Sequence, residues 1–290
     1  MYSPKDETTR ARMEDALAYA AAHLSTTTTG APAWGWLGRT IGSRTAGGHW
    51  LRVHCGEAAK APATRNEGIA LAEERVSDKV SRPHLHDLYR WDGGEYVFEA
   101  ELIDYIAQPV ISPETPDLTE DPGLPDSWWT TLRESLDALS TAEPPRETIR
   151  QSWADRVFPE FLGIPAPAIT ERVTGHADLQ WANLTHAPLV ILDWERWGAV
   201  PVGYDPAMLY VNSLRVPAVA DRIRAEFAQV LDTPAGQIGE QIALAEMLQA
   251  VGRGWYVELA PLLRQRSEDL TGVRPPAPSP AHPTAPATSG

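Results

Sequence analysis

The chain has 290 residues, of which 43% are hydrophobic and 22% charged, a composition typical of a globular protein with one bilobal core or two small domains. Its net charge of −14 argues against nucleic acid as a main partner, because nucleic-acid binding depends on Lys and Arg that neutralise phosphates. The single cysteine, Cys55, excludes an internal disulfide framework and fits a reducing cytosol. No apolar run approaches the ~20 residues of a membrane span, and the N-terminus lacks a secretory pattern, so we expect a cytoplasmic protein.

The first hundred residues combine one helix with strand-like segments. Apolar residues at helical spacing predict a helix over Thr8–Leu24, which the polar run Ser25–Gly30 ends. Two strands are expected next, at Trp34–Ile41 and His49–His54, with Gly42 and Gly47-Gly48 marking the turn between them.

A second helix and a hairpin follow. Pro62 opens a helical run through Asn66–Ala72. The hairpin has strands at His86–Trp91 and Glu95–Glu101 and turns at Asp92-Gly93-Gly94, and the second strand continues to Ile106. The proline-rich, acidic segment Pro109–Pro125 predicts a linker or surface loop.

From Asp126 the pattern becomes helical, with a short strand predicted at Glu171–Thr174. Apolar stripes predict helices around Trp128–Leu139, Trp153–Phe161, Pro206–Leu214, Val219–Leu231, Ala235–Ala250 and Gly254–Arg266. The end, Val273–Gly290, is rich in Pro, Ala, Ser and Thr, and we expect it to be disordered.

The strongest functional signal lies between Thr174 and Tyr204. His176-Ala177-Asp178 is followed, five residues after the aspartate, by Asn183. Phosphoryl transfer needs an acidic acceptor for an alcohol proton and oxygen ligands for magnesium, in this order along the chain. We therefore predict Asp178 as the catalytic base and Asn183 as a metal ligand. His176 is the second predicted catalytic residue, beside Asp178, and we expect it to shape the loop by hydrogen bonding.

A second metal ligand is predicted at Asp193. The apolar run Leu189–Leu192 leads directly into it and is expected to be a buried strand that holds its carboxylate rigidly beside Asn183. An Asp and an Asn alone are ordinary turn residues, but the ordered set that ends in Asp193 favours the functional interpretation. A metal hydrolase is a weaker alternative, because the histidines lack the paired spacing of zinc sites.

The motif HADLQWANL…LVILDWERWGAVPVGYDPAML resembles the HGDLHPGNL…VIDWE…GP…DLA pattern of the aminoglycoside phosphotransferase family, small-molecule kinases of protein-kinase-like fold. The motif covers Gly175–Leu209, and a looser order of elements extends from about Trp34 to about Arg266. The resemblance implies an α+β bilobal fold with a small sheet-rich N-terminal lobe and a mostly helical C-terminal lobe. It also implies ATP as donor, Mg²⁺ as cofactor and a hydroxyl of a small molecule, an aminoglycoside or similar, as acceptor.

The resemblance also assigns roles by position. Asp178 matches the catalytic aspartate, while Asn183 and Asp193 match the metal ligands. Asp205 matches a buried aspartate that braces the catalytic loop. Ala177 replaces a usual glycine, which predicts an ordinary backbone conformation there and removes no catalytic atom.

The family has a phosphate-holding lysine on the third strand, paired with a glutamate on the following helix, and the lysine has no direct match here. Arg52 is the candidate cation, since Lys60 lies in a loop-like segment, and Glu67 is its candidate partner; an exposed strand residue is the alternative for Arg52. Such folds bind adenine through the backbone of the strand that leaves the small lobe, which makes Glu101–Ile106 the hinge and Glu101, Leu102 and Ile103 the cofactor-binding residues.

These patterns predict an N-terminal lobe over 1–105, a C-terminal lobe over 106–272 and the tail 273–290. Four residues near the motif either line the acceptor site or simply pack: Trp181, Trp194, Glu195 and Trp197.

The leading function is ATP-dependent phosphorylation of a small molecule. The alternative is a kinase-like nucleotide-binding regulator with weak or no transfer, which Arg52 in place of Lys and the missing G-x-G-x-x-G fingerprint favour. The acceptor stays open, because this fold and motif serve many substrates.

Overall fold

The computed structural model describes residues 3–60 and 68–276, and the chain divides into two compact units. The first unit combines Met1–Val110 with Leu184–Glu195, and the second combines Ile111–Asn183 with Arg196–Gly290. No sequence pattern indicated that a segment from beyond residue 180 belongs to the first unit. The predicted boundaries 1–105, 106–272 and 273–290 stay predictions. Glu67, and the predicted tail from residue 277 onward, lie outside the described residues.

The first unit is built on a five-stranded antiparallel sheet with the strand order β1-β2-β3-β5-β4. Its strands are β1 Thr28–Trp34, β2 Thr40–Thr45, β3 His49–Glu57, β4 Leu85–Asp92 and β5 Tyr96–Asp104, and its helices are α1 Glu7–His23 and α2 Gly68–Arg75. The predicted first helix and the predicted β4–β5 hairpin are confirmed.

Helix α1 covers one face of this sheet. Its N-cap is Asp6, whose Oδ1 accepts a hydrogen bond from the backbone N–H of Thr9 at 2.7 Å. The core that α1 shares with the sheet includes Leu51 and Val53 of β3 and Ala100 of β5. Because side chains alternate between the two faces of a strand, the residues in between point to the opposite face, which here is charged rather than apolar.

The N-terminal strands differ from the prediction. Strand β1 occupies residues that were expected to form a polar break, and a 3₁₀ turn at Trp36–Gly38 interrupts the single strand predicted over Trp34–Ile41. Gly42 lies within β2 and not at a turn. A Cβ at Gly42 would lie 2.6 Å from the indole of Trp50, so the glycine allows close packing of this ring.

The second unit is mostly helical. Its helices are α3 Asp126–Ser140, α4 Gln151–Phe161, α5 Tyr204–Val211, α6 Pro217–Glu226, α7 Ala228–Leu231, α8 Pro234–Gly252 and α9 Ala260–Thr271. Two short strands, β6 Arg172–Gly175 and β7 Gly198–Pro201, pair antiparallel, and β7 was not predicted. The helix expected over Val219–Leu231 is two helices divided at Phe227, and the one expected from Gly254 begins only at Ala260.

A sheet-rich first unit followed by a mostly helical second unit confirms the predicted α+β class with its two lobes. Throughout the described residues, every helix is too short or too polar to cross a membrane.

Candidate active site

The loop that leaves β6 is fixed to helix α5 by one carboxylate. Asp205, buried near the start of α5, accepts the backbone N–H of His176 at 2.6 Å and that of Ala177 at 2.9 Å. A Cβ at Gly175 would lie 2.6 Å from the Asp205 carboxylate, so glycine is needed for this approach. Burial raises the pKa of Asp205, and the two N–H bonds act in the opposite direction. The brace implied by the family resemblance is therefore present.

Ala177 does not have the ordinary backbone conformation expected from its sequence. Its φ is +66°, in the left-handed region. Successive N–H groups can point at one anion when one residue of the turn is left-handed, and here both donate to Asp205. A non-glycine residue in this region costs about 1–2 kcal/mol, and the hydrogen bonds to Asp205 offset that cost.

The same loop brings Asp178 and Asn183 into direct contact. A 3₁₀ turn over Trp181–Asn183 folds the chain back, and Nδ2 of Asn183 donates to the backbone oxygen of Asp178 at 2.9 Å and to its Oδ2 at 3.1 Å. Gln180 donates to the same Oδ2 at 3.3 Å. Because these bonds use the amide nitrogen of Asn183, its carbonyl oxygen is the atom left for a cation. The Asp178 side chain is 28% exposed.

Sequence reasoning missed a cation beside Asp178. Nη1 of Arg196 lies 3.9 Å from Oδ1 of Asp178 and 3.1 Å from Oε1 of Glu246 on α8. Tyr204 donates its hydroxyl to the other oxygen of Glu246. Glu246 raises the pKa of Arg196, which stays charged. Arg196 directly follows the DWE motif, but no local pattern marks Glu246, a carboxylate within α8, as its partner.

On the charged face of the first sheet, Arg52 contacts three carboxylates. Its Nε lies 2.9 Å from Glu101, its Nη1 lies 2.8 Å from Asp193, and its Nη2 lies 3.2 Å from Glu195. Burial lowers the pKa of Arg52, but the three carboxylates outweigh burial, so the pKa is raised well above its usual value. The alternative of an exposed strand residue is wrong, since the Arg52 side chain is 17% exposed.

Asp193 is reached by a loop rather than by the predicted strand. Over Leu189–Leu192 the described structure has one isolated bridge, between Leu184 and Ile191, and no strand. The segment lies against α2 and against the turn that follows α2, and backbone and side-chain bonds hold it there. The backbone N–H of Ile191 donates to the backbone oxygen of Ser81. A Cβ at Gly68 would lie 2.1 Å from the backbone oxygen of Trp194, so the segment approaches the start of α2 closely.

Glu195 links the arginine to a histidine. Nε2 of His54 lies 2.8 Å from Oε1 of Glu195. Burial opposes charge on both groups, but their mutual attraction is stronger. The pKa of His54 is therefore raised and that of Glu195 lowered.

The residues expected to bind adenine lie inside the sheet. Glu101, Leu102 and Ile103 pair with β3 on one side and β4 on the other, so their backbone groups take part in ladders on both sides. Asp104 ends β5, and the expected hinge continues beyond it to Ile106. The side chain of Glu101, which is 1% exposed, points to Arg52. Glu67, the expected partner of Arg52, lies outside the described residues.

The aromatic residues near the motif pack rather than line a surface. Trp181, Trp194 and Trp197 are completely buried. The indole N–H of Trp181 donates to Ser213 at 2.8 Å, and that of Trp194 donates to the backbone of Ile191 at 2.8 Å. The suggestion that these rings contact an acceptor is wrong, and the packing alternative is confirmed.

The described residues offer single oxygen donors rather than a complete set of metal ligands. Across residues 3–60 and 68–276, no three His, Cys, Asp or Glu side chains form a group that could hold a metal ion. Magnesium usually takes one or two carboxylates and completes its shell with water and phosphate oxygens. The carbonyl oxygen of Asn183 in the second unit and the carboxylate of Asp193 in the first are donors of this hard type.

These two units and the braced loop after β6 have the architecture of the protein-kinase-like fold. A structure of aminoglycoside phosphotransferase APH(4)-Ia, a thermostable mutant in its apo form, is similar to this chain with a TM-score of 0.56 and 11% identity, over 88% of this chain and 97% of that one. Choline kinase LicA from Streptococcus pneumoniae is similar with a TM-score of 0.54 and 12% identity, over 89% and 98%. At these identities the likeness establishes the fold alone. No protein-family model and no curated protein sequence matches the chain.

A further structure of the phosphotransferase is a ternary complex with AMP-PNP and hygromycin B. It is similar to this chain with a TM-score of 0.55 and 10% identity, over 88% of this chain and 97% of that one.

Proposed function

We propose that this chain is an ATP-dependent phosphotransferase that moves the γ-phosphoryl group to a hydroxyl of a small molecule, with Asp178 as the catalytic base. The observation that carries the proposal is the contact between Asp178 and Asn183 on a loop whose backbone is bound by Asp205. A carboxylate held on one oxygen by an amide presents its other oxygen in a fixed direction.

In the proposed reaction Asp178 accepts the proton of the attacking hydroxyl. The hydroxyl oxygen forms a bond to the γ-phosphorus, the bond from that phosphorus to the β-phosphate oxygen breaks, and ADP leaves. Asn183 and Gln180 both donate to Oδ2 of Asp178, and these bonds orient the carboxylate for the attacking hydroxyl. Nη1 of Arg196, 3.9 Å from Oδ1 of Asp178, places a positive charge beside this carboxylate.

Asn183 and Asp193 are the proposed magnesium ligands. Magnesium would supply neutralisation of the charge on the donor's phosphates. Arg52 is the proposed phosphate-holding cation. Because Glu101, Leu102 and Ile103 use their backbone groups in the sheet and the N–H of Asp104 donates to His84, backbone contacts with adenine fall to the end of the expected hinge, Tyr105 and Ile106.

The similar structures support the same class. The phosphotransferase complex contains AMP-PNP and hygromycin B, and the bacterial protein is a choline kinase. Those acceptors belong to those proteins, and both proteins phosphorylate a small molecule. We propose the same class of acceptor here, an aminoglycoside or similar hydroxyl compound.

One observation favours the second candidate, a nucleotide-binding regulator with weak or no transfer. All three guanidinium nitrogens of Arg52 contact carboxylates, including that of Asp193. A nucleotide must exchange some of these contacts for its own phosphates. If this exchange is unfavourable, transfer will be slow.

The variant Asp178→Asn separates the two functions. It keeps the shape of the side chain but removes its basicity, and losing a positioned base costs about 10²–10⁴ in rate. The affinity for Mg-ATP should change less than about threefold, or roughly 0.6 kcal/mol, because Asp178 contacts the acceptor and not the nucleotide. The measurement pairs a titration of Mg-ATP with ATP consumption against a panel of amino-sugars, amines and nucleosides.

Asp155→Asn, an exposed change on α4, is the matched control and should keep full transfer. A wild-type protein that binds Mg-ATP but phosphorylates no acceptor in the panel supports the regulator. Transfer at the full rate by the Asp178→Asn variant would remove Asp178 from the mechanism.

A further inference from the structure

The charged face of the first sheet contains a buried ion pair across neighbouring strands. Arg52 on β3 and Glu101 on β5 are directly opposite in the strand register. Nε of Arg52 lies 2.9 Å from Oε2 of Glu101, whose side chain is 1% exposed. This contact therefore follows from the sheet itself and does not depend on a loop.

The other two partners of Arg52 are more exposed. The side chains of Asp193 and Glu195 are 36% and 31% exposed, and both belong to the loop segment Leu184–Glu195. An exposed carboxylate that loses its partner is solvated by water, whereas a buried one is left with an uncompensated charge. Of the three contacts, the one with Glu101 is the most costly to break.

The nitrogen atoms of Arg52 divide in the same way. Glu101 takes Nε, and the two Nη atoms face the exposed carboxylates. A guanidinium can hold a carboxylate through Nε while its Nη atoms bind phosphate oxygens, because its donors form a rigid planar fork. A lysine ammonium is a single point charge and has no such separate edge.

We infer that Glu101 is the positioning residue for Arg52, and that it orients the guanidinium so that Nη1 and Nη2 can exchange Asp193 and Glu195 for nucleotide phosphates. This inference rests on the proposed function. An acidic partner of Arg52 is then supplied by β5, an interior strand of the sheet. Oε1 of Glu101 has no hydrogen-bond partner within the described residues, so Arg52 is the group that directs this carboxylate.

The test measures binding of AMP-PNP with Mg²⁺ by calorimetry, without an acceptor. Glu101→Gln keeps the shape and removes the charge, and it should weaken binding about tenfold or more, because a neutral amide orients the guanidinium less strongly than a carboxylate does. Glu99→Gln is the matched control. Glu99 is also buried on β5, two residues away, but contacts Arg90 and not Arg52, so binding should change less than about twofold.

A double-mutant cycle shows whether Glu101 acts through Arg52. In an Arg52→Gln background, Glu101→Gln should produce no further loss of affinity. Glu101→Asp, which keeps the charge, should recover part of the binding and serves as the second variant if Glu101→Gln does not fold. In the absence of nucleotide, the Nε–H proton of Arg52 should exchange slowly with water in the wild-type protein and faster in Glu101→Gln, as measured by NMR.

The outcomes distinguish this inference from the proposed function. If the wild-type protein transfers phosphate and Glu101→Gln binds AMP-PNP as tightly as wild type, the role of Glu101 is overturned and the function stands. If the cycle shows coupling but the wild type transfers to no acceptor, the role of Glu101 stands and the function falls. Additive losses from Arg52→Gln and Glu101→Gln contradict the inference, and a wild type that does not bind AMP-PNP overturns both.

Discussion

The loop around Asp178 and the cluster around Arg52 are assembled in different ways. On the loop, the partners are close in the chain and several bonds are to backbone groups: Asn183 is five residues from Asp178, and Asp205 binds two backbone N–H groups 28 and 29 residues away. In the cluster, Glu101 and Asp193 are 49 and 141 residues from Arg52, and the contacts join charged side chains. The first arrangement leaves a pattern in the sequence, and the second leaves none.

This difference has an energetic consequence. Backbone N–H groups do not titrate in the accessible pH range, so in this loop only the acceptor, Asp205, can respond to pH or be removed by mutation. Ion pairs depend on the protonation of both partners, so the cluster should respond to pH. The following changes separate the two behaviours.

The largest effect is expected from Asp205→Ala, which removes the acceptor of the loop. The N–H groups of His176 and Ala177 would stay buried without a partner, at a cost of about 1–3 kcal/mol each. We expect the free energy of unfolding to fall by about 2–5 kcal/mol in urea denaturation. Asp205→Asn keeps one acceptor oxygen and should lose less.

Asp155→Ala is the control for this change, because Asp155 is exposed and accepts a bond only from Gln151 within the described residues. It should cost less than about 0.5 kcal/mol. Equal losses in the Asp205 and Asp155 variants would mean that Asp205 does not brace the loop.

An intermediate effect is expected from pH, through His54 and Glu195. The folded pKa of His54 is raised above its usual 6.5, so its contribution is complete below 6.5 and is lost as pH rises through the folded pKa. The folded pKa of Glu195 is lowered from 4.5, so its contribution is complete above 4.5 and is lost as pH falls. The pair should therefore stabilise the protein most between these two values.

The measurement is the free energy of unfolding from pH 6 to pH 9, in wild type and in His54→Gln. Each unit of pKa difference between folded and unfolded states corresponds to about 1.4 kcal/mol. The wild-type value should decrease with rising pH more steeply than that of His54→Gln. His186→Gln is the control, because His186 forms no ion pair in the described part of the chain. Parallel curves for wild type and His54→Gln would rule out this pair as a source of pH dependence.

The smallest effect is expected from Ala177→Gly. Glycine relieves a left-handed conformation that costs about 1 kcal/mol, but it loses a buried methyl group and more chain entropy on folding. The net change in the free energy of unfolding should stay below about 1 kcal/mol. Ala243→Gly, an equally buried alanine in the middle of α8, should cost about 1–2 kcal/mol because no strain is relieved there. Similar losses at both positions would show that Ala177 is not strained.

Much of the fold followed from local patterns, and the exceptions have physical causes. Helices α1, α3 and α8 and the β4–β5 hairpin repeat their signals over many residues, and these were predicted. Strand β1 was missed because it contains Gly30 and Pro32, which are unfavourable in strands. At the edge of a sheet, where β1 lies, proline is tolerated, since one side of the strand needs no hydrogen-bond partner.

The sequence by itself determined the chemistry of the loop: a carboxylate at Asp178 and an amide at Asn183, at a spacing that the covalent chain keeps short. The bracing carboxylate at Asp205 was implied only by the family resemblance. Only the tertiary structure decided which carboxylates meet Arg52. That choice depends on the register of β3 with β5 and on the packing of Leu184–Glu195 in the first unit. The left-handed Ala177 also required the tertiary structure, because its strain is offset by Asp205, 28 residues away. Long-range partners are selected by packing of the whole unit, and a local pattern cannot encode them.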